Sequence, residues 1–285
     1  MLLVLLWGAS FSIQKAAYAA MGPGAFLFCR TLLMTLCALA LLRWRGSPLW
    51  PRLQPHEQRP LLFCAAIGSV LHILLVTYGI HRSTPFSSAL IMACGPVCTL
   101  LLLRVWRGIR LGRHQMLGVG VAFGGVLLFM SEKLLLADWR AGSGDLMMLV
   151  SALVFSLYTI TVAPLNERHG GPEVLCWSTL LAAPLMLLLN APAALVAPYA
   201  ELSVAIWSAF LWSVLVSAFF GWMLWGWVNG VRGVARTAPL LYGVPPAAGL
   251  VAWLTVGESY GGLKLAGAAL VLGGVAWTQL RTDHT

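Results

Sequence analysis

Charged residues are scarce in this sequence. Only 9% of its 285 residues are Asp, Glu, Lys or Arg, whereas 60% are hydrophobic. A soluble domain usually carries roughly 25% charged residues, because its surface faces water. So few charges cannot cover a water-facing globule, but they can flank helices whose sides face lipid. The composition therefore excludes an ordinary soluble domain and predicts an integral membrane protein embedded in a lipid bilayer.

The patterns of metal sites, disulfides and catalytic centres are missing as well. The six cysteines lie inside apolar runs, none forms a CxxC pair, and no His or Cys cluster has metal-ligand spacing. The sequence also contains no HExxH and no GxSxG motif. We therefore expect no metal, no cofactor and no catalytic site. An intramembrane enzyme and a receptor or scaffold are the minor alternatives from other functional classes.

The basic residues are concentrated on one side of the apolar segments. The chain carries 18 Lys and Arg against 9 Asp and Glu. With the N-terminus inside, twelve of the 18 fall in cytoplasmic loops and four on the opposite side. Cytoplasmic loops are enriched in Lys and Arg, so both termini are predicted to be cytoplasmic. This arrangement explains the net charge, and no nucleic-acid partner is expected.

Ten apolar segments follow one another along the chain. A membrane-spanning helix needs about 20 apolar residues, and these runs are too long and alternate too weakly for barrel strands. The predicted fold class is an all-α integral membrane protein with ten transmembrane helices. The segments are 1–20, 24–42, 60–80, 84–103, 115–131, 145–164, 173–192, 202–228, 237–257 and 262–280.

Segments five and ten contain a similar glycine pattern. A shift of 149 residues places Gly118, Gly124 and Gly125 on Gly267, Gly273 and Gly274. A shift of 150 residues places Pro96 on Pro246. Two matches at nearly one offset indicate a duplication. Because each half has five segments, the second half must insert upside down, which is an inverted repeat of the kind found in transporters.

At these residues the chain resembles the EamA family of the drug/metabolite transporter superfamily. The matching features are the Trp-Gly-Ala-Ser-Phe run at 7–11, Lys15, Arg30 with 31–33, Pro96, 142–158, Pro246, Glu258, Leu263 and Gly267. The resemblance implies one five-helix repeat at 1–131, a second at 142–280 and a short cytoplasmic tail at 281–285. The sequence departs from the family pattern at Gly108 and Tyr260, so a symmetric role for Glu258 is not expected.

The resemblance also implies a location and a function. It places the chain in the inner membrane of a bacterium, as a carrier that transports small molecules. We predict alternating access, with the two five-helix halves rocking about a central cavity. Amino acids or related amphipathic aromatic compounds are the leading substrates, and export is the expected direction. A multidrug exporter or a nucleotide-sugar carrier is the alternative, and a homodimer is left open.

Ionisable residues inside a bilayer are costly, so they are candidates for function. Lys15 and Arg30 reach a similar depth on either side of the first turn, and together they could hold a substrate carboxylate. The alternative is that each side chain extends to the interface or binds a carbonyl. His72 lies near a segment centre and suits proton coupling or substrate binding, unless it is a neutral residue bonded to a neighbouring helix. All nine acidic residues fall at helix ends or in loops, so a proton relay built on a mid-membrane acid has no candidate.

Aromatic residues could line the substrate cavity. Trp222 and Trp225 share a helix face, with Asn229 one turn beyond. This stripe could stack planar or cationic substrates, whereas the alternative is an aromatic belt with ordinary helix packing. Further candidates with weaker signals are Tyr78, Tyr158, Trp177 and Tyr242.

Prolines and glycines have structural roles in this prediction. Pro96 and the pair Pro245 and Pro246 interrupt backbone hydrogen bonding, so hinges are expected in segments four and nine. The paired glycines of segments five and ten are expected to allow close helix contact. Glu258 is expected to cap or position the last helix and not to touch the substrate.

Overall fold

The computed structural model of the protein describes residues 2–51, 53–108, 112–135, 139–225 and 242–279. These residues form helices and connections, and no strand occurs among them. The helices, with the short π-helical stretches included in them, are α1 (Leu2–Met21), α2 (Pro23–Trp44), α3 (Pro55–Arg82), α4 (Pro85–Met92), α5 (Gly95–Arg107), α6 (Arg113–Leu135), α7 (Trp139–His169), α8 (Gly171–Leu195), α9 (Val204–Trp225), α10 (Val244–Val256) and α11 (Gly262–Gln279).

Eight stretches are long and apolar enough to cross a membrane. They are α1, α2, α3, α4 together with α5, α6, α7, α8 and α9. Two shorter apolar helices, Val244–Val256 and Gly262–Trp277, lie where the ninth and tenth segments were predicted. The prediction of an all-helical, multi-pass membrane protein is therefore confirmed for the part of the chain that the structure describes.

Two of the helices contain π-helical stretches, at Ala65–His72 in α3 and Trp212–Phe220 in α9. A π-helix is rare, and its wider turn leaves some backbone carbonyls open to side chains. The fourth predicted segment is also irregular, because a turn at Ala93 and Cys94 separates α4 from α5. Helix α4 starts after Thr84, whose hydroxyl accepts a hydrogen bond of 3.3 Å from the backbone N–H of Ser87.

The helices pack in two peripheral pairs around a central set. Helix α6 lies along α11, and α2 lies along α8. Between these pairs, α1 packs against α9 and α10, which together are named group A. Helix α7 packs against α3, α4 and α5, which together are named group B. Most of the residues that could bind a substrate lie on helices of group A and group B, and Arg30 lies beside them on α2.

The α6–α11 pair depends on glycine. A Cβ atom at Gly274 would lie 2.5 Å from the backbone nitrogen of Ala122, and one at Gly125 would lie 2.6 Å from that of Val271. A Cβ at Gly267 would meet the backbone nitrogen of Phe129 at 2.7 Å. The predicted close contact is therefore present at these three positions. It is absent at Gly124 and Gly273, which have open space around them, so the prediction is wrong for those two residues.

Candidate functional site

A polar cluster is formed by residues of α1, α2 and α3. Tyr18 of α1 donates a hydrogen bond of 2.8 Å to the side-chain oxygen of Gln14, one turn earlier. The guanidinium of Arg30, on α2, lies close enough to interact electrostatically with Tyr18 and with His72 of α3. Among the described residues Arg30 forms no hydrogen bond or ion pair, so this cation is available to an anionic group.

His72 connects α3 to α7. A hydrogen bond of 2.8 Å joins its Nδ1 to the hydroxyl of Ser151, and the backbone carbonyl of Ser151 lies 3.3 Å from the same nitrogen. The imidazole is buried, and its ring centre lies 4.9 Å from that of Phe155. These contacts correspond to the alternative considered for this residue, a histidine bonded to a neighbouring helix.

An aromatic cluster continues from Phe155 into group A. The ring of Phe155 lies 5.6 Å from that of Trp222 on α9. Trp7 of α1 lies 5.9 Å from Trp222 and 5.8 Å from Trp225. The indole N–H of Trp7 donates to the carbonyl of Ser217 at 3.1 Å, within the π-helical stretch of α9. Arg30 and this cluster together offer a cation and apolar ring surfaces in one region.

Lys15 binds backbone carbonyls, whereas a substrate carboxylate was predicted as its partner. Its Nζ donates to the carbonyl of His81 at 2.5 Å and to that of Ser83 at 2.7 Å, where α3 ends. The last carbonyls of a helix lack intrahelical partners and carry partial negative charge, so a lysine is stabilised there. The hydroxyl of Ser83 in turn donates to Asp145 of α7, a carboxylate with no exposed surface.

Glu258 contacts both the last helix and the first turn of α4. Its side chain accepts a hydrogen bond of 3.4 Å from the backbone N–H of Phe86, in the first turn of α4. Its other oxygen accepts one of 3.3 Å from Lys264 on α11. A carboxylate is stabilised at a helix N-terminus. Glu258 therefore caps α4 and is paired with Lys264, in addition to fixing the start of the last helix.

At the opposite end of the molecule, where α2 ends and α3 begins, two buried carboxylates are paired. Glu57 accepts hydrogen bonds from the backbone N–H of Gln54 at 2.9 Å and from Arg168 at 2.9 Å, and it lies 3.0 Å from His169. Glu173 accepts one of 2.6 Å from Arg45. These pairs hold the connection between α2 and α3 against the turn between α7 and α8.

Comparison with protein families covers both halves of the chain. The EamA-like transporter family matches residues 1–131 and 142–280. The chain belongs to this family. It is therefore a membrane transporter and not an enzyme, and the predicted resemblance is confirmed.

Several curated relatives of this EamA-like transporter align over almost its whole length. A probable terminal-alkyne amino-acid exporter of Streptantibioticus cattleyicolor is 28% identical over 99% of this chain and 92% of its own. A probable amino-acid metabolite efflux pump of Salmonella typhimurium is 25% identical, over 96% of this chain and 91% of its own. A protein of solved structure covers 98% of this chain and 94% of its own, with a TM-score of 0.65 and 17% identity, which shows a shared fold.

The remaining predicted site residues of the EamA-like chain are dispersed. Tyr78 packs beside Leu27 and Met186, between α2 and α8. The ring of Tyr158 lies on Gly68 of the π-helical stretch and 6.0 Å from Phe155, at the edge of the aromatic cluster. Trp177 donates to the carbonyl of Pro48 at 3.0 Å and anchors the α2–α3 connection.

Two further candidates complete the set. Tyr242 packs with the core around Phe86, and its buried hydroxyl has no partner among the described residues. Asn229 lies outside the described residues. Trp222 and Trp225 are thus predicted aromatic residues that belong to one cluster. The cluster also contains Trp7 and Phe155, which were not chosen from the sequence.

The three predicted hinge prolines all lie in first turns of helices. Pro96 is in the first turn of α5, directly after the turn at Ala93 and Cys94. Pro245 and Pro246 are in the first turn of α10. Proline is tolerated in a first turn, because the N–H it lacks would have no helical partner. Pro96 therefore marks where segment four starts a second helix, and Pro245 and Pro246 lie where α10 begins.

Trp7, Phe155, Gln14 and Tyr18 were missed as site residues. Trp7 and Phe155 bring α1 and α7 to the stripe on α9, and the sequence gives no signal for that contact between distant helices. Gln14 and Tyr18 are one turn apart on the helix that carries Lys15. A polar pair at this spacing could have been noticed, since residues i and i+4 are neighbours on a helix face.

Proposed function

We propose that this EamA-like chain exports small metabolites, with amino acids as the leading substrates, by alternating access. The observation that carries the proposal is Arg30, a guanidinium inside the helical bundle with no protein acceptor among the described residues. Burying an unpaired cation is costly, so such a group is retained where an anionic ligand pairs with it. A substrate carboxylate fits, because Arg offers a bidentate fork.

The aromatic cluster supports a substrate that carries an apolar or aromatic side chain. Trp7, Phe155 and Trp222 would hold an apolar or aromatic side chain by ring contacts. The hydroxyl of Tyr18 and the amide of Gln14 supply polar groups near Arg30 for the rest of the molecule. The names of the relatives from Streptantibioticus cattleyicolor and Salmonella typhimurium, both amino-acid exporters or efflux pumps, point to the same class.

A duplicated architecture of two inverted five-helix repeats, 1–131 and 142–280, is part of the proposal. Helices α5 and α10 both have 13 residues, and each ends at a glycine in the left-handed conformation, Gly108 and Gly257. Gly22 and Gly170, 148 residues apart, both have positive φ angles before a helix with an early proline. The two π-helical stretches, in α3 and α9, begin 147 residues apart. These correspondences support ten transmembrane helices in the whole chain.

The packing favours moving units other than the two five-helix halves. Group A combines α1 of the first repeat with α9 and α10 of the second, whereas group B combines α7 of the second with α3 to α5 of the first. Since each group contains helices of both repeats, the halves cannot separate as rigid bodies without breaking both groups. We therefore place the alternating movement between group A and group B, around the site.

The proposal also includes the orientation of the chain in the membrane. The excess of Lys and Arg in alternate loops supports a cytoplasmic position for both termini and for the tail at 281–285. The end at which α3 leads into α4 would then face outward, and the end carrying Glu57 would face the cytoplasm.

The test is flux in proteoliposomes containing the purified protein. Labelled amino acids would be loaded, with and without a pH gradient, and compared with Arg30→Ala and with the control Arg82→Ala, which removes an exposed arginine. Saturable flux that Arg30→Ala abolishes and Arg82→Ala keeps is the expected result, with both variants folded. Equal flux in Arg30→Ala would overturn the carboxylate site.

A multidrug carrier is the second candidate, favoured by the four clustered aromatic rings, which suit cations as well as apolar groups. The same vesicles would be tested with quaternary amines and dyes. Flux of these compounds that Arg30→Ala leaves intact, together with no flux of any amino acid, would replace the amino-acid proposal with this one.

A further inference from the structure

We infer that Lys15 is a latch that holds groups A and B together at the α3–α4 end, and that it is not a ligand of the substrate. The α3–α4 end is the end of the molecule where α3 finishes at Arg82 and α4 begins at Pro85. The inference deepens the proposed function and rests on its alternating movement between the two groups.

The first argument is that the bonds of Lys15 cross the boundary between the groups. Lys15 belongs to α1 in group A, and both carbonyls that accept from its Nζ, those of His81 and Ser83, belong to the end of α3 in group B. Charge-assisted hydrogen bonds are roughly twice as strong as neutral ones. Two of them from one ammonium therefore join the groups at a single point.

The second argument is that the contact extends into the rest of group B. Ser83 donates from its hydroxyl to Asp145, which is fully buried on α7. The residue that accepts from Lys15 is thus itself fixed to α7. Separating α1 from α3 at this end would expose the ammonium and the carbonyls together, so the arrangement is stable only while the groups are in contact.

The third argument concerns the other contacts at this end. Glu258, which follows α10 of group A, accepts from the backbone N–H of Phe86 in α4 of group B. Helix α10 also approaches α4 closely, since a Cβ at Gly249 would lie 3.0 Å from the ring of Phe86. By contrast, the Glu57 pairs at the opposite end join α3 to α7 within group B, and the Glu173 pair joins α2 to α8. Polar contacts between the groups are therefore found at the α3–α4 end.

The fourth argument is the position of the latch relative to the site. His81 lies nine residues beyond His72 on α3, about 13 Å along the axis at 1.5 Å per residue. Asp145 precedes Ser151 on the antiparallel α7, and Phe155 follows it. On α1, Lys15 lies between Gln14 and Tyr18, so the latch is level with this part of the polar cluster, and His72 and the aromatic cluster lie farther from the α3–α4 end. Closing the latch seals the site from the α3–α4 end.

The test measures the distance between the groups at that end. Spin labels would be attached through Ala19→Cys on α1 and Arg82→Cys on α3, both exposed, in a full chain whose six native cysteines are replaced. With Lys15 present, one short distance is expected. Lys15→Met should add a longer population, shifted by roughly 5 Å, the size of a one-turn displacement. Lys15→Arg should keep the short distance, because it retains the charge and the donors.

The matched control is Lys264→Met. It removes a second lysine at the same end, one that is buried and whose pairing with Glu258 does not reach α3. An unchanged distance in this control and a changed one in Lys15→Met is the expected pattern. If Lys15→Met does not fold, Lys15→Gln, which removes the charge and shortens the side chain but keeps an amide NH2 donor, would be judged by the same two outcomes.

An unchanged distance in folded Lys15→Met would overturn the latch and leave Lys15 as a helix cap. The measurement needs no substrate, so it can be interpreted even if no amino acid is transported. Loss of flux with an unchanged distance would keep the transporter and reject the latch. An altered distance with no flux in the unsubstituted protein would keep the latch and reject the proposed substrate.

Discussion

The α6–α11 pair and the central helices of groups A and B differ in how their backbones approach one another. In the α6–α11 pair, glycines bring backbone against backbone, and the helices are regular along their described lengths. In the central set, α3 and α9 contain π-helical stretches, a turn interrupts the helix between α4 and α5, and polar groups are buried. Close backbone packing allows few alternative arrangements, whereas irregular helices can be repacked. We therefore expect the pair to serve as scaffold and the central set to be the part that moves in the proposed alternating access.

The largest expected effect is a loss of stability when a side chain is added within the α6–α11 contact. Gly274→Leu would place a Cβ 2.5 Å from the backbone nitrogen of Ala122, where no side-chain rotation relieves the contact. Overpacking usually costs about 1–3 kcal/mol, and a backbone clash lies at the upper end or beyond. We expect a loss of monodisperse protein and a lower unfolding temperature in detergent.

The neighbouring residue provides the control for that experiment. Gly273→Leu adds the same side chain one residue earlier, at a position with open space around it. It should leave the yield and the unfolding temperature nearly unchanged. Equal damage by the two substitutions would mean that the α6–α11 contact is not the source of stability.

A smaller loss is expected at the end of the moving part that carries Glu57. Glu57→Gln removes the charge that Arg168 and His169 face and one of the acceptors, so a lower unfolding temperature is expected. Thermal unfolding would measure it, with Glu167→Gln, an exposed acid of the same turn, as the control. If both variants unfold at the temperature of the unsubstituted protein, the ion pairs contribute nothing measurable.

The comparison also separates what the sequence predicts from what it does not. The eight helices long and apolar enough to cross a membrane follow from apolar runs of sufficient length, and the glycine contact follows from a repeated pattern. The site is harder, because its members come from helices far apart in sequence. Arg30 was selected as a cation inside a membrane span, but the same reasoning paired it with Lys15. Depth along a helix does not say in which direction a long side chain extends, and Lys15 extends to the carbonyls of α3.

The irregular parts of the central helices had no sequence signal. Leu, Val, Ala and Ser fill the π-helical stretches as they fill ordinary helices. The turn at Ala93 and Cys94 was indicated only by the proline that follows. Wide turns depend on tertiary partners, such as Trp7 binding the carbonyl of Ser217, and these partners become visible only when the helices are assembled.

Removing a ring from the aromatic cluster is expected to weaken substrate binding about tenfold. Trp222→Ala removes the ring that touches both Trp7 and Phe155, so an aromatic substrate should bind about tenfold more weakly, or roughly 1.4 kcal/mol. The concentration for half-maximal flux in proteoliposomes would report it. Trp253→Ala on the exposed side of α10 is the control and should have no effect. Equal behaviour of the two variants would remove the cluster from the site.

The smallest effect distinguishes two roles for His72. If His72 is a tether between α3 and α7, Ser151→Ala removes one of its hydrogen bonds. The loss should lower the stability by about 0.5–1.5 kcal/mol. Flux should keep its dependence on the pH gradient in this variant and in His72→Asn, because a tether within group B takes no part in proton movement. Gradient dependence that disappears in His72→Asn but persists in Ser151→Ala would instead make His72 the coupling group. In that case the moving part would carry a titrating residue at its centre, and the histidine would exchange its bond to Ser151 for a proton during each cycle.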